Sequence, residues 1–448
     1  MFNRIIIEKM RQWSQRKGRK PLVLRGARQV GKTSAVDIFA QEFDSYIYLN
    51  LELKEDANLF ADDLVVEELI QAIFFAKNIH RNAGRTLLFI DEIQNSSKAI
   101  AMLRYFFESA PDLYVIGAGS LLEVMIGKNQ VSFPVGRVQY LFMYPLTFVE
   151  YLAALSEEQA LETYHTVPLP AYAQEKMFKL FHQYTLLGGM PEIIDTFSQS
   201  HDLLDLRPVY QGLISSYLDD VSKYARNATM IEVIRHAIES APYEAGKRIR
   251  FQGFGKSNYK SREMGEALRT LQRAMLIHLL YPTTSRELPL IPDKKRSPKL
   301  LFLDSGLVNY YVGLQKYFYT IKDFHSAYGG MLAEHIIGQE LIALDMSSPN
   351  KFTFWVKEKK QSNAEVDFIL PYNQYAIPLE VKAGKTGTLR SLHEFIDSAS
   401  HPYAIRLYAG PILTTTAQTP KGTPYTLLSL PYFLIGKIYD YIAWMKWE

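Results

Sequence analysis

Residues 21–40, PLVLRGARQVGKTSAVDIFA, leave this chain few ways to fold. An apolar run, Leu22-Val23-Leu24, enters the pattern Gly26-x-x-x-x-Gly31-Lys32-Thr33, and a helix-like spacing of Ala35, Val36, Ile38 and Phe39 follows. That order is strand, glycine-rich loop, helix. It suits a buried parallel strand whose loop turns backbone N–H groups onto phosphate at the positive end of a helix. The candidate phosphate cradle is Gly26, Ala27, Arg28, Gln29, Val30, Gly31, Lys32, Thr33 and Ser34. Lys32 would neutralise β- and γ-phosphates, and the Thr33 hydroxyl would ligate Mg²⁺.

A second segment has the chemistry this loop needs. Thr86-Leu87-Leu88-Phe89-Ile90-Asp91-Glu92 is an apolar run ending in two carboxylates. A strand buried on both faces has that continuous apolar character. Open α/β sheets bind ligands at the C-terminal ends of their strands. Asp91 would then hold the metal through its water shell, and Glu92 would polarise the attacking water. Taken alone, the pair could equally be a solvated acidic turn.

Composition limits the alternatives. With 448 residues, the chain predicts roughly three domains. It has no cysteine, which removes disulfide scaffolds, Cys-based zinc sites and thiol nucleophiles. The run Ile5-Ile6-Ile7 is too short for a signal-peptide core. The apolar tail is interrupted by Pro431, Gly436, Lys437 and Asp440, so no membrane partner is expected and a cytoplasmic location is. Net charge is only +3, yet residues 246–300 hold 13 Lys/Arg against 4 Asp/Glu. A basic middle on a near-neutral chain predicts an anionic partner there.

Nearly end to end, the chain resembles the AAA-like P-loop ATPases that carry a C-terminal DUF4143 region. The motifs are GARQVGKT, LLFIDEIQ, VIGAGSLL, VGRVQYLFMYPLTFVEY, LLGGMPEII, FLDSGL and EVDFIL followed by LEVKAG. The resemblance implies an α/β core of the additional-strand class that binds ATP with Mg²⁺. It also implies a polar sensor at Ser120 and a charge-sensing catalytic arginine at Arg137. By their own context, Ser120 could equally cap a helix starting at Leu121, and Arg137 could be an ordinary loop arginine.

Beyond the core, which is expected over 1–150, residues 151–205 predict a helical lid punctuated by Gly188-Gly189-Met190-Pro191. Residues 206–325 predict a winged helix. Met264, Leu268, Leu271 and Met275 recur at helical spacing, and Lys260, Arg262, Arg269 and Arg273 supply cations for nucleic acid, DNA favoured. The wing would be a hairpin of 275–281 with 299–303, joined by a polar connector.

The last part, 326–448, holds AEVDFILPYNQYAIPLEVK at 364–382. A hairpin turning at Asn373-Gln374 sets Asp367 opposite Glu380 and Glu365 opposite Lys382. Val366, Phe368, Leu370, Ile377, Leu379 and Val381 then share one apolar face. Opposed like charges destabilise a strand pair, so a second divalent ion, Mg²⁺ or Mn²⁺, between Asp367 and Glu380 makes physical sense. The arrangement resembles the PD-(D/E)xK nuclease core, which implies Lys382 as the charge-stabilising lysine and Glu334 as the upstream acid. Val366 stands where that motif has proline, and a plain Glu365–Lys382 ion pair is the alternative. The expected protein is an ATPase, with a possible homo-oligomer, coupling nucleotide state to nucleic acid. It either cuts with its C-terminal domain or uses that domain only to bind.

Overall fold

In the computed structural model the described residues are 2–61, 65–81, 84–120, 134, 136–315, 324–348, 352–358, 364–382, 384 and 388–446. Side chains of the helix Phe324–Ala343 are described from residue 332 onward.

Five strands, Leu22–Gly26 (β1), Ser45–Asn50 (β2), Thr86–Asp91 (β3), Tyr114–Gly119 (β4) and Gln139–Met143 (β5), form one parallel sheet in the order β2-β3-β4-β1-β5. Alternate residues feed two cores. Leu22, Leu24, Leu87, Phe89 and Ile116 face the helices Ile5–Ser14 and Lys32–Ala40. Val23, Ile47, Leu49, Leu88, Ile90 and Val115 face the helices Val66–Ala76 and Ser97–Ser109. Burial on both faces is why these strands are apolar throughout. β4 lies between the loop-bearing β1 and the acid-ending β3, which is the additional-strand order of a P-loop NTPase.

Helices Phe148–Ala154, Glu158–Tyr164, Gln174–Leu187 and Pro191–Ser200 follow, the last with Pro191 in its first turn. The helices Leu206–Asp219, Val221–Tyr224 and Ala228–Ser240 come next. Helix Ser261–Arg273 buries Met264, Ala267, Leu268 and Leu271. Strand Ile277–Leu280 (β6) then leads to Pro282–Thr283 (β7) and Lys299–Phe302 (β8), and β6 pairs antiparallel with β8.

The two strands expected to form a hairpin do pair, and the connector between them reaches another sheet. β7 joins the C-terminal sheet beside β9, and the Trp355 indole N–H donates to the Thr284 carbonyl at 3.2 Å. The ribbon is therefore anchored on the next module. A Pro-Thr pair as the seventh strand of a remote sheet gives no local signal.

The C-terminal sheet adds Thr353–Val356 (β9), Glu365–Tyr372 (β10), Tyr375–Val381 (β11), Tyr403–Tyr408 (β12), Leu413–Gln418 (β13) and Pro424–Pro431 (β14). Its order is β13-β14-β12-β11-β10-β9-β7, with parallel and antiparallel neighbours mixed. Phe368 opposes Leu379 and Tyr372 opposes Tyr375, the register expected for a turn at Asn373-Gln374. Among the described residues, no helix is long and apolar enough to cross a membrane.

Three distant segments meet at one polar joint. The Asp304 carboxylate accepts the Gly189 N–H at 2.6 Å and the Leu307 N–H at 3.1 Å. A Cβ on Gly188 would lie 2.1 Å from Asp304 Oδ1, one on Gly189 2.1 Å from the Leu146 carbonyl, and one on Gly306 2.0 Å from the Leu187 carbonyl. Nearby, Glu340 accepts the Phe148 N–H at 3.0 Å and the Tyr184 hydroxyl at 2.6 Å.

Two outcomes follow from this joint. Gly189→Ala forces backbone apart and should lower stability by about 1–3 kcal/mol in urea unfolding. Burial raises the Glu340 carboxyl to about 7, against the opposing pull of its bonds to Tyr184 and Phe148. The native state therefore holds that proton more tightly than the unfolded chain does. Stability from this group is present at low pH and is lost as pH rises through about 7. Glu340→Gln keeps an acceptor oxygen, so the variant should gain on wild type in urea melts between about pH 5 and about pH 8. A constant difference across that range would refute the assignment.

Candidate nucleotide site

The glycine-rich loop takes its shape from backbone crowding. A Cβ on Gly26 would sit 2.5 Å from the Met143 carbonyl, and Gly31 has φ 93° where helix Lys32–Ala40 begins. Gln29, at φ 63°, bends the loop's outer side. Ala27 and Val30 are buried in the core, fixing the loop to its sheet.

A cavity of about 490 Å³ opens above this loop, lined by Arg28, Gln29, Gly31, Lys32, Thr33, Ser34, Asp91 and Glu92. Pro191, Glu192 and Asp195 of helix Pro191–Ser200 close its far side, so that helix lies where a lid was expected. Lys32 Nζ donates to the carbonyls of Gly26 at 3.1 Å and Ala27 at 2.8 Å. Burial lowers its pKa, while Glu92 and Asp91 oppose that shift. Thr33 donates to Asp91 Oδ2 at 2.7 Å, and the Glu92 N–H donates to Asp91 Oδ1 at 3.0 Å. A hydroxyl beside a carboxylate is a hard-oxygen pair, which fits Mg²⁺.

Glu92 follows β3 in a left-handed conformation at φ 50°. Burial raises its carboxyl, Lys32 pulls it down, and Gln94 donates to it. A carboxylate that lines the cavity above the loop with a raised pKa suits a general base. Gln94 finds room because Gly119 has no side chain: a Cβ there would sit 1.9 Å from Gln94 Oε1.

Ser120 follows β4 directly and is buried. It lines a smaller cavity of about 210 Å³ with Arg28, Glu92, Gln94, Asp220 and Lys223. Leu121, the start of the helix it might cap, lies outside the described residues. Arg137 lies away from its own chain's phosphate loop. It precedes β5, whose first residue pairs with Leu22, whereas the phosphate loop leaves the other end of β1 beside Met143. A five-residue strand spans about 17 Å. Arg137 pairs instead with Glu108 at 3.0 Å and lies over the Phe107 ring, away from its own chain's pocket.

Several residues at the site carry no sequence signal. Arg4 is buried and donates to the Val30 carbonyl at 3.0 Å, the Tyr144 carbonyl at 2.7 Å and Glu150 at 3.0 Å. From the other side, Asp220 pairs with Arg28 at 2.6 Å, Ser216 donates to Gln29 at 2.9 Å, and Tyr217 donates to the Arg28 carbonyl at 3.3 Å. Their partners are between 26 and 192 residues away, beyond the reach of spacing rules.

Lys260, Arg262, Arg269 and Arg273 are all exposed. In the C-terminal domain Glu334 and Asp367 do converge, together with Glu365, but around a buried lysine, Lys299. Glu380 pairs with Lys382 at 2.6 Å. The alternative Glu365–Lys382 pair does not form, because Glu365 is engaged by Lys299 and Arg248.

Residues 18–152 match the family model of an AAA domain, residues 178–317 that of a domain of unknown function, DUF8612, and residues 329–432 that of another, DUF4143. The chain thus combines an AAA-type P-loop domain with a C-terminal DUF4143 region. Among solved structures it is similar to the Walker-type ATPase PABY2304 of Pyrococcus abyssi, at 16% identity over 70% of this chain and 96% of that one, with a TM-score of 0.46. The Aeropyrum pernix ORC1 protein in complex with DNA matches at 14% identity over 69% and 90%, with a TM-score of 0.29. No curated protein matches.

The site geometry gives a paired prediction. Lys32→Ala removes the cation facing the phosphates and should abolish tight ATP binding. Glu92→Gln should keep binding but lower turnover about 10²- to 10⁴-fold, since an amide cannot take the water's proton. Nucleotide titration and phosphate release measure the two effects, and equal turnover in wild type and Glu92→Gln would sink the role of Glu92.

Proposed function

We propose that this protein is a Mg²⁺-dependent ATPase that couples its nucleotide state to engagement of nucleic acid. In this reading Lys32 binds the β- and γ-phosphates, Thr33 and Asp91 hold the metal, and Glu92 activates water. Ser120, beside Glu92 in the adjoining cavity, senses the terminal phosphate.

The observation that carries the coupling is the grip of one helix on the loop. Ser216, Tyr217 and Asp220 hold Gln29 and Arg28. Nucleotide entering the cavity meets Arg28 on the same loop, so its charge competes with Asp220 for that guanidinium. Movement of Asp220 passes to helix Ala228–Ser240, and helix Ser261–Arg273 packs against it.

Arg262, Arg269 and Arg273 recur at seven- and four-residue steps, which puts them on one exposed stripe of the second helix. Glu266, on the same side, is neutralised by Arg226 at 3.1 Å. A stripe of arginines with no acidic partner among the described residues suits phosphate contacts, which give sequence-tolerant and salt-sensitive affinity. Double-stranded DNA is the favoured ligand. A second reading, a protein-interaction switch, shares the ATPase and replaces the duplex with an acidic protein.

Replacing Arg269 and Arg273 together separates the two readings. Duplex affinity should fall, and the slope of log affinity against log salt should shrink by about 1 for each phosphate no longer neutralised. An unchanged slope, or no duplex binding by wild type, would favour the protein partner.

A further inference from the structure

Lys299 opens β8 with its side chain only 1% exposed. Its ammonium lies 2.6 Å from Glu334 Oε2, 3.1 Å from Glu365 Oε1 and 3.8 Å from Asp367 Oδ1. Phe354 and Phe368 flank it, their ring centroids 5.1 Å and 5.5 Å away. The same three carboxylates have oxygens within 4.8 Å of one another, close enough to share one metal ion. A lysine ammonium has three donors and no acceptor; Glu334 and Glu365 lie within hydrogen-bonding distance of it, and Asp367 adds a longer ion pair.

Other oxygens of the cluster are engaged as well, save the buried Glu380 Oε2, which has no hydrogen-bond partner among the described residues. Asp367 Oδ2 accepts the Val381 N–H at 2.8 Å, and Glu365 Oε2 faces Arg248 at 3.4 Å. Glu380 turns its Oε1 to Lys382. Burial and the Asp367 charge push both Glu334 and Glu380 upward. A divalent ion bound by the same oxygens would lie within a few ångströms of the ammonium. The site as built does not fit the second metal that the nuclease resemblance implies.

We propose that Lys299 is a tethered counter-cation that fills the position of a divalent ion in the C-terminal carboxylate cluster. The C-terminal domain is thereby closed to metal and does not cut phosphodiesters. The lysine belongs to β8, paired with the strand that follows the arginine-bearing helix, while its carboxylate partners lie on helix Phe324–Ala343 and β10. The cluster therefore fastens the module of the arginine-bearing helix to the C-terminal sheet, where a nuclease would hold its metal. This inference stands whether or not the arginine stripe binds nucleic acid.

Thermal melts of the full-length, nucleotide-free protein in EDTA and in Mn²⁺ test it. Wild type should melt at the same temperature in both. Lys299→Met should melt lower in EDTA, because buried Asp367 and half-buried Glu334 and Glu365 lose their cation, and should recover with Mn²⁺. Its Mn²⁺ affinity should exceed that of wild type by at least about tenfold, since a positive charge next to the ion is gone. Adding Asp367→Asn to Lys299→Met should erase the Mn²⁺ response. A wild-type rise in Mn²⁺ that Asp367→Asn alone removes would overturn the proposal, as would a folded Lys299→Met protein indifferent to Mn²⁺. If Lys299→Met does not fold, the comparison of wild type with Asp367→Asn still decides.

Discussion

Asp304 is a buried carboxylate held by backbone N–H groups, and the mutual placement of the modules depends on it. Burial pushes its pKa up to about 6, while the N–H groups of Gly189, Leu307 and Gly306 pull it back. An ion in that setting needs donors brought very close, and only glycines at 188, 189 and 306 leave the room. The joint ties the end of helix Gln174–Leu187 to the start of helix Ser305–Tyr311. Leu146, just past β5, completes it by donating to the Gly189 carbonyl at 2.7 Å. The nucleotide sheet, the helical segment and the C-terminal half thus share one polar junction.

From this joint two sets of bonds reach the phosphate loop. On one side Arg4, paired with buried Glu150, clasps the Val30 carbonyl. On the other, Asp220 clasps Arg28. The loop is braced at both edges while its centre, Lys32, is satisfied only by loop carbonyls. A buried ammonium on neutral acceptors is a poorer arrangement than one facing phosphate. Bound phosphate would therefore change the bonding of Lys32 and compete for Arg28, while the Arg4 edge, which faces the core, would stay fixed. That asymmetry directs any nucleotide-driven movement toward helix Leu206–Asp219.

What was legible in the sequence was local. The strand–loop–helix around Gly31, the acid-ended β3 and the register of the β10–β11 hairpin each follow from neighbours within about twenty residues, through patterning and turn chemistry. Partners at long range were not legible. Arg4 lies 146 residues from Glu150 and Arg28 lies 192 residues from Asp220. Gly188-Gly189 announces a turn, but nothing nearby says that a carboxylate at 304 needs the space. Lys299 illustrates the same gap. At the head of the apolar run Lys299-Leu300-Leu301-Phe302 it looks like a solvated strand end, and only the tertiary fold surrounds it with acids. Arg137 shows a related gap: strand direction puts it at the edge of the sheet away from its own chain's phosphate loop, which leaves a role toward a second copy as the form of the expectation still open.

Local charge counting has the same blind spot in the basic middle. Of its 13 cations, Lys299 is buried in the carboxylate cluster, Arg248 is paired with Glu365, Arg286 lies over Trp355, and Arg296 is spent on Asp293 and the carbonyls of Lys357 and Glu358. These four bind this module to the next one or to itself and offer little to a ligand. Arg262, Arg269 and Arg273 differ because helical spacing aligns them and solvent surrounds them. One basic stretch therefore serves two ends. Its strand and connector cations neutralise acids at an internal seam, and its helix cations face outward. A polyanion arriving at the helix would meet a surface whose opposite side is already locked by charge to the C-terminal sheet, so the pull it exerts would reach that sheet through β6 and β8.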